Sequence, residues 1–378
     1  MIAGNLTWSS GDILLRMNRR SFLKLSAAVS AATNAAPAQP SGPAADYKQG
    51  KAVMVVGCQR GPTNDDFLTM LKRNGVAHCC GYPESLSGGS FKLEAMERLV
   101  ALGRKHGVSI DMIQLPLSSS YITKSASPNI MMGKSPERDR EIDNVCQIIR
   151  DCQKAGIPAV KYNLTILGVM STEPVTGRGG NIQRAWDLSK ASQDPPLTEA
   201  GAAPAAVMWE RITYFLKRVV PVANEHKVRL ACHPHDPGVP PSGFRGVDRV
   251  LGTVEGLKKF VSIEESPYHG LNFCQGTVTE MLQDPGKEIF DVIRYFGQRK
   301  KIFNVHFRNI KGKRDKFYET YPDEGDINFV RAMQVYKEVG YPYMMMPDHM
   351  PRHPKDPGGN QAFAFAYGYI KALIQAVS

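Results

Sequence analysis

The chain has 378 residues, 42% of them hydrophobic and 22% charged, with a formal net charge of +11 at pH 7. This is the composition of a globular protein, long enough for one α/β barrel of ~250 residues with insertions, and no apolar run approaches the ~18 residues that cross a bilayer. The basic residues are scattered among acids and form no nucleic-acid stripe, so the positive charge either favours an anionic substrate or is surface composition.

Asn18-Arg19-Arg20-Ser21-Phe22-Leu23-Lys24 is a twin-arginine pattern, followed by a mildly apolar run from Leu25 to Thr33 and by the small-x-small site Ala36-Pro37-Ala38. It is similar to a bacterial twin-arginine export signal, with Met17 as an alternative start. Residues 1–38 are therefore expected to be a signal segment, which implies a periplasmic or otherwise exported protein. Residues 39–50, rich in Pro, Ala, Gly and Ser, are expected to be a linker, and 51–378 the folded domain.

The folded part begins with Ala52 to Cys58, a continuous apolar run that reads as a buried strand. A helix over Asp65 to Arg73 and a second strand over Val76 to Gly81 follow. Leu93, Met96, Leu99, Val100 and Leu102 recur at helical spacing, which predicts a helix over Leu93 to His106, before a third strand, Val108 to Leu115. Ser135-Pro136-Glu137 combines a capping hydroxyl, a first-turn proline and an acid, and predicts a helix running to Ala155-Gly156. Ile157 to Leu164 is the fourth strand. Residues 165–205 show no periodicity and are expected to form a long insertion after it, a lid or binding loop.

A helix over Val207 to Glu225 leads to a fifth strand, Val228 to Cys232. Helical patterns over Thr253 to Phe260, Lys287 to Phe296, Asp326 to Val339 and Gln361 to Ala376 then alternate with strand runs ending in Cys274, His306 and Asp348. Eight mostly continuous apolar strands alternating with eight helices predict an α/β fold, a closed parallel (β/α)8 TIM barrel. No glycine-rich phosphate loop is present.

Four consecutive strand runs each deliver a potential metal ligand near their C-terminal end: His233, Cys274, His306 and Asp348. A parallel barrel gathers those ends on one face, where its chemistry lies. Two imidazoles, a thiolate and a carboxylate suit a divalent transition metal. The ligands are roughly thirty to forty residues apart, the length of a βα unit, so the fold must bring them together. Seven cysteines is an odd number, so at least one is left unpaired or a ligand, and Cys274 is the candidate. Cys146 and Cys152, in a helix, and Cys58, Cys79 and Cys80, at strand ends, are expected to be buried free thiols.

His233-Pro234-x-Asp236-Pro237, Cys274-x-Gly276, His306-x-Arg308-Asn309 and Pro347-Asp348-His349 resemble, in order and spacing, the motifs of the mannonate dehydratase family, a metal-dependent branch of the xylose isomerase-like barrels. The likeness runs from about Ile130 to His349 and takes in Lys161-Tyr162-Asn163. It implies His233, Cys274, His306 and Asp348 as ligands of Mn²⁺ or Fe²⁺, with Arg308 and Asn309 toward the substrate. It also implies a hydro-lyase of hexuronate breakdown that turns D-mannonate into 2-keto-3-deoxy-D-gluconate. Arg308 would then hold the substrate carboxylate, and His349, His235 or Tyr162, beside Asp348, would move protons. The sequence departs from the pattern at His235, where the motif has an acid, at Leu164 to Leu167, where it has Asp-Trp, and near Phe363 and Phe365, where it has a tyrosine. A sugar isomerase or epimerase on the same barrel, or a non-catalytic periplasmic sugar-acid binder, remain as alternatives, and a homo-oligomer is compatible with each.

Overall fold

Gly57 divides the first apolar run into two short strands, and that division explains how the sheet closes. In the computed structural model, which describes residues 52–85 and 89–378, thirteen strands are numbered in chain order. They are β1 (Val55–Val56), β2 (Cys58–Gln59), β3 (His78–Gly81), β4 (Ser109–Gln114), β5 (Ala159–Asn163), β6 (Thr172–Thr176), β7 (Ile182–Asp187), β8 (Arg229–His233), β9 (His269–Cys274), β10 (Ile302–His306), β11 (Asn309–Lys313), β12 (Lys316–Thr320) and β13 (Met344–Met346). The expected signal segment and linker lie outside the described residues.

Nine strands form one sheet in the order β1-β13-β10-β9-β8-β5-β4-β3-β2, every pairing parallel. Its two ends, β1 and β2, are separated only by Gly57, so the sheet curls into a nearly closed barrel of the TIM type. A Cβ on Gly57 would fall 2.8 Å from the Met344 side chain, which is why this crossing takes a glycine.

The strand pleat sorts side chains into two layers. Cys80, Met112, Ala159, Ala231, Phe303, Met344 and Met346 fill the barrel interior. The opposite faces pack on helices. In the helix Ala205–His226, Met208, Ile212, Phe215, Leu216, Val219, Val220 and Ala223 recur at helical spacing and are buried. Its Phe215 ring lies 5.6 Å from the ring of Tyr162 on β5. Truncating such a phenylalanine to alanine costs ~3–5 kcal/mol.

Helices Asp65–Arg73 and Leu93–His106 fall where periodicity places them. The helix expected to start from a Ser135 cap begins at Glu137, with Pro136 in the cap position and no side-chain capping bond. The first-turn acids Glu137 and Asp139 remain to complement the dipole, and Gly156, at φ 78°, ends the helix.

The insertion is not irregular. Its β6 and β7 join β12 and β11 in a four-stranded antiparallel sheet ordered β11-β12-β7-β6. Trp186 on β7 pairs in register with Phe317 on β12, and both are buried. Sequence periodicity missed β11 and β12 because each is short and charge-rich. Among the described residues no helix is long and apolar enough to cross a membrane, and all seven cysteines are free and buried.

Candidate metal centre

His233, Cys274 and His306 are the last residues of β8, β9 and β10, and Asp348 follows β13 closely. One ligand atom from each lies within 4.8 Å of the others. Cys274 Sγ is 3.4 Å from Asp348 Oδ2, His306 Nδ1 is 3.3 Å from Asp348 Oδ1, and the two imidazole rings are 5.2 Å apart. The expected convergence on one face of the barrel is therefore what the structure contains.

The outer hydrogen bonds set the ligand atoms. His233 Nδ1 lies 2.7 Å from the Pro234 carbonyl, so it carries the proton and leaves a lone pair on Nε2. His306 Nε2 lies 3.0 Å from the Gln59 side-chain oxygen, which leaves the lone pair on Nδ1, facing Asp348. Such second contacts orient metal-binding histidines and fix their tautomer. Burial, reinforced by the Lys161 charge, pushes His233 down to about 4, so its imidazole is neutral and fit to coordinate. Burial raises the Cys274 thiol, but the Arg308 guanidinium and His306 outweigh it and hold the thiol below its ordinary value. Asp348 likewise stays well below the usual carboxylate range, because His306, His349 and Arg308 outweigh its desolvation. The neutral His233 imidazole, an acidified thiol and an ionised carboxylate, with the His306 ring beside them, together fit a divalent transition metal.

Around this cluster lies a buried ionic ring. Arg308 Nη2 sits 3.0 Å from Asp236 Oδ2, 3.0 Å from Glu280 Oε1, 2.9 Å from Thr277 Oγ1 and 3.5 Å from Cys274 Sγ, while its Nη1 meets the Glu319 carboxylate. Arg184, from β7, reaches Asp236 Oδ1 at 2.7 Å and Glu319 Oε1 at 2.7 Å. The Arg308 side chain is only 1% exposed. Protein acids occupy its Nη1 and Nη2, because three buried carboxyls in one place demand compensating charge, while its Nε, 3.5 Å from Asp348 Oδ2, makes no hydrogen bond. Burial, with Asp236 beside it, pushes Glu280 well above the usual carboxylate range. Asp236, Glu319 and His349 form a second group with metal-ligand spacing, but the two guanidiniums already neutralise its carboxylates.

Three other expected site residues are engaged away from the four-residue cluster. Tyr162 points away from the ligands, because the pleat that turns Lys161 and Asn163 inward turns Tyr162 outward onto Phe215. His235 is spent on backbone, its Nε2 2.7 Å from the Leu164 carbonyl and its Nδ1 accepting from the Leu251 amide at 3.3 Å. Burial lowers it to about 3, so the ring stays neutral with both nitrogens engaged by backbone. Asn309 donates to the Pro322 and Ile327 carbonyls and accepts from the Ile327 amide, bracing the excursion that carries Glu319.

His349 does stand at the site. Its side chain is 40% exposed, with Nδ1 2.9 Å from Glu319 Oε1 and Nε2 3.7 Å from Asp348 Oδ1. Sequence reasoning assigned no role to Gln59, Arg184, Glu280 and Glu319, and none to Lys161, whose charge inside an apolar strand was the one visible signal. Cleft size is no guide here. A cavity of about 780 Å³ lies against the second sheet, among Trp186, Phe317 and Lys316, and includes none of the four ligands.

Comparison with known proteins accords with this geometry. A family model for D-mannonate dehydratase (UxuA) matches residues 201–378. The mannonate dehydratase of Thermotoga petrophila is 28% identical over 297 residues, covering 69% of this chain and 78% of that one. Mannonate dehydratase 2 of Halalkalibacterium halodurans is 26% identical over 283 residues, covering 67% and 78%. The crystal structure of mannonate dehydratase from Streptococcus suis serotype 2 superposes with a TM-score of 0.74 at 24% identity, covering 86% of this chain and 95% of that one. A D-psicose 3-epimerase from Clostridium cellulolyticum H10 shares the fold, with a TM-score of 0.57 at 12% identity over 86% of this chain and 100% of that one.

Proposed function

We propose that the chain is a member of the mannonate dehydratase family, whose model matches residues 201–378, and that it is a metal-dependent hydro-lyase that converts D-mannonate into 2-keto-3-deoxy-D-gluconate and water. The observation that carries this reading is the convergence of His233, Cys274, His306 and Asp348. Those four residues would hold Mn²⁺ or Fe²⁺, and the bound ion would supply Lewis-acid stabilisation of negative charge on the substrate's carboxylate and neighbouring oxygen.

The remaining chemistry belongs to side chains. The proton at C2 is lost, the hydroxyl at C3 leaves as water after taking up a proton, and the resulting enol becomes the 2-ketone. His349 is the group suited to hand over that proton: it is open to solvent on one side and held by Glu319 on the other. Arg308 acts from behind the ligands, keeping the Cys274 thiol acidic and tying Asp236, Glu280 and Glu319 into one rigid support.

Purified protein loaded with Mn²⁺ or Fe²⁺ and given a panel of aldonates and uronates tests the reading. A 2-keto-3-deoxy product from D-mannonate is expected. An isomeric sugar, or stabilisation against heating without turnover, would overturn it in favour of an isomerase or a binder.

A further inference from the structure

Lys161 lies in the middle of β5 and faces the barrel interior. Its neighbour in register on β8 is Ala231, which with Ala159 belongs to the interior layer. Two residues further along, Asn163 pairs with the ligand His233. Two residues of strand rise ~6.6–6.8 Å, a span an extended lysine side chain covers, so the ammonium reaches the level of the metal ligands.

Lys161 retains 5% of its surface, and burying an ammonium without a partner costs several kcal/mol. Other buried cations in the described residues each have a protein acceptor: Arg308 has Asp236 and Glu280, Arg249 the Pro237 carbonyl at 2.6 Å, and Lys301 the Ser266 carbonyl at 2.8 Å, although the Nε of both arginines is unpartnered. Lys161 has none. Burial disfavours its charge, the Asp348 carboxylate opposes that, and none of its neighbours Asp348, Cys80, Cys274 and Cys232 reaches it by a hydrogen bond. Arg308 spends its Nη1 and Nη2 on Glu319, Asp236 and Thr277 and keeps only its Nε without a hydrogen bond. A buried cation without a protein acceptor, beside the ligand cluster, has the chemistry to take an anionic group of the substrate.

We propose that the Lys161 ammonium binds the carboxylate of the sugar acid, anchoring it from the interior side of the metal ligands. The assignment rests on the sugar-acid reading of the site and makes Lys161 a substrate-binding residue.

The test is calorimetric binding of D-mannonate, and of the other aldonates and uronates in the panel, to Mn²⁺-loaded wild-type protein and to the Lys161→Met and Lys161→Gln variants. Metal content and thermal midpoint are measured alongside. Loss of a charge-assisted hydrogen bond is expected to weaken sugar-acid binding by about 10- to 100-fold, with metal content unchanged. The midpoint of Lys161→Met should equal or exceed that of the wild type, because an unpaired buried charge is gone. Affinity within about twofold of wild type in either folded variant would overturn the proposal, as would a wild-type protein that binds no sugar acid in the panel. Dehydration is scored separately from product formation by the wild type. A protein that binds a sugar acid through Lys161 but yields no 2-keto-3-deoxy product would sink the dehydratase reading and leave the anchor standing.

Discussion

His306 donates its Nε2 hydrogen to the side-chain oxygen of Gln59 at 3.0 Å, so the strand that closes the barrel also aims a ligand carried by β10. Gln59 is steadied in turn by Tyr82, whose hydroxyl lies 3.3 Å from its amide nitrogen. Gln59→Leu keeps the shape and removes the acceptor. Metal affinity is expected to fall ~10- to 100-fold, the usual cost of losing an outer contact, with little change in unfolding midpoint. A metal-buffer titration measures it, and unaltered affinity would show that His306 needs no such guide.

Cys274→Ser replaces a soft ligand with a harder one of similar size, and is expected to shift preference away from softer ions while the fold survives. Asp348→Asn removes the one carboxylate among the four ligands and should reduce turnover far more than stability. Elemental analysis after exposure to mixed Mn²⁺, Fe²⁺ and Zn²⁺, set beside urea unfolding, separates the two effects. Wild-type metal selectivity in Cys274→Ser would exclude the thiol from the coordination shell.

Arg308→Met leaves Asp236, Glu280 and Glu319 without their shared guanidinium. Breaking a buried ionic network from one side costs ~3–5 kcal/mol, so the denaturant midpoint should drop sharply. A small change would mean that Arg184 alone neutralises the ring.

His269 is fully buried, with Nε2 3.0 Å from the Phe260 carbonyl, and burial lowers it from 6.5 to about 4. Between those values the unfolded chain binds the extra proton and the folded chain does not, so this contribution to stability is present above 6.5 and lost as pH falls toward 4. Unfolding free energy should decline by about 2 kcal/mol on this account between pH 7 and pH 5. His269→Gln should flatten the profile by that amount. An unchanged slope would place the acid sensitivity elsewhere.

Export is proposed from Arg19 and Arg20. Replacing both with lysine should keep the protein in the cytoplasm, as cell fractionation would reveal, and deleting residues 1–38 should leave folding and metal content intact. A double variant that still reaches the periplasm, or an insoluble truncation, would count against a signal segment.

What the sequence determined by itself is the scaffold and the grouping of four candidate metal ligands. Continuous apolar runs broken by turn residues betray parallel strands, and a parallel barrel puts all their C-terminal ends on one face. His233, Cys274, His306 and Asp348 could therefore be placed together without coordinates. The helix Leu93–His106 was legible for the same reason, since its apolar residues repeat locally.

Tertiary structure decided the roles of the residues around that set. Arg308 has the same chemistry wherever it stands; only the folded chain brings Asp236, Glu280 and Glu319 to its Nη atoms. Arg184 and Glu319 meet across 135 residues on strands of the second sheet, and no local periodicity encodes such a pair. Tyr162 and Lys161 are neighbours in sequence, yet the pleat sends one to the helices and the other into the barrel. Ligand identity follows from strand order, whereas charge compensation depends on which side chains share a buried volume, and that is a property of the folded chain alone.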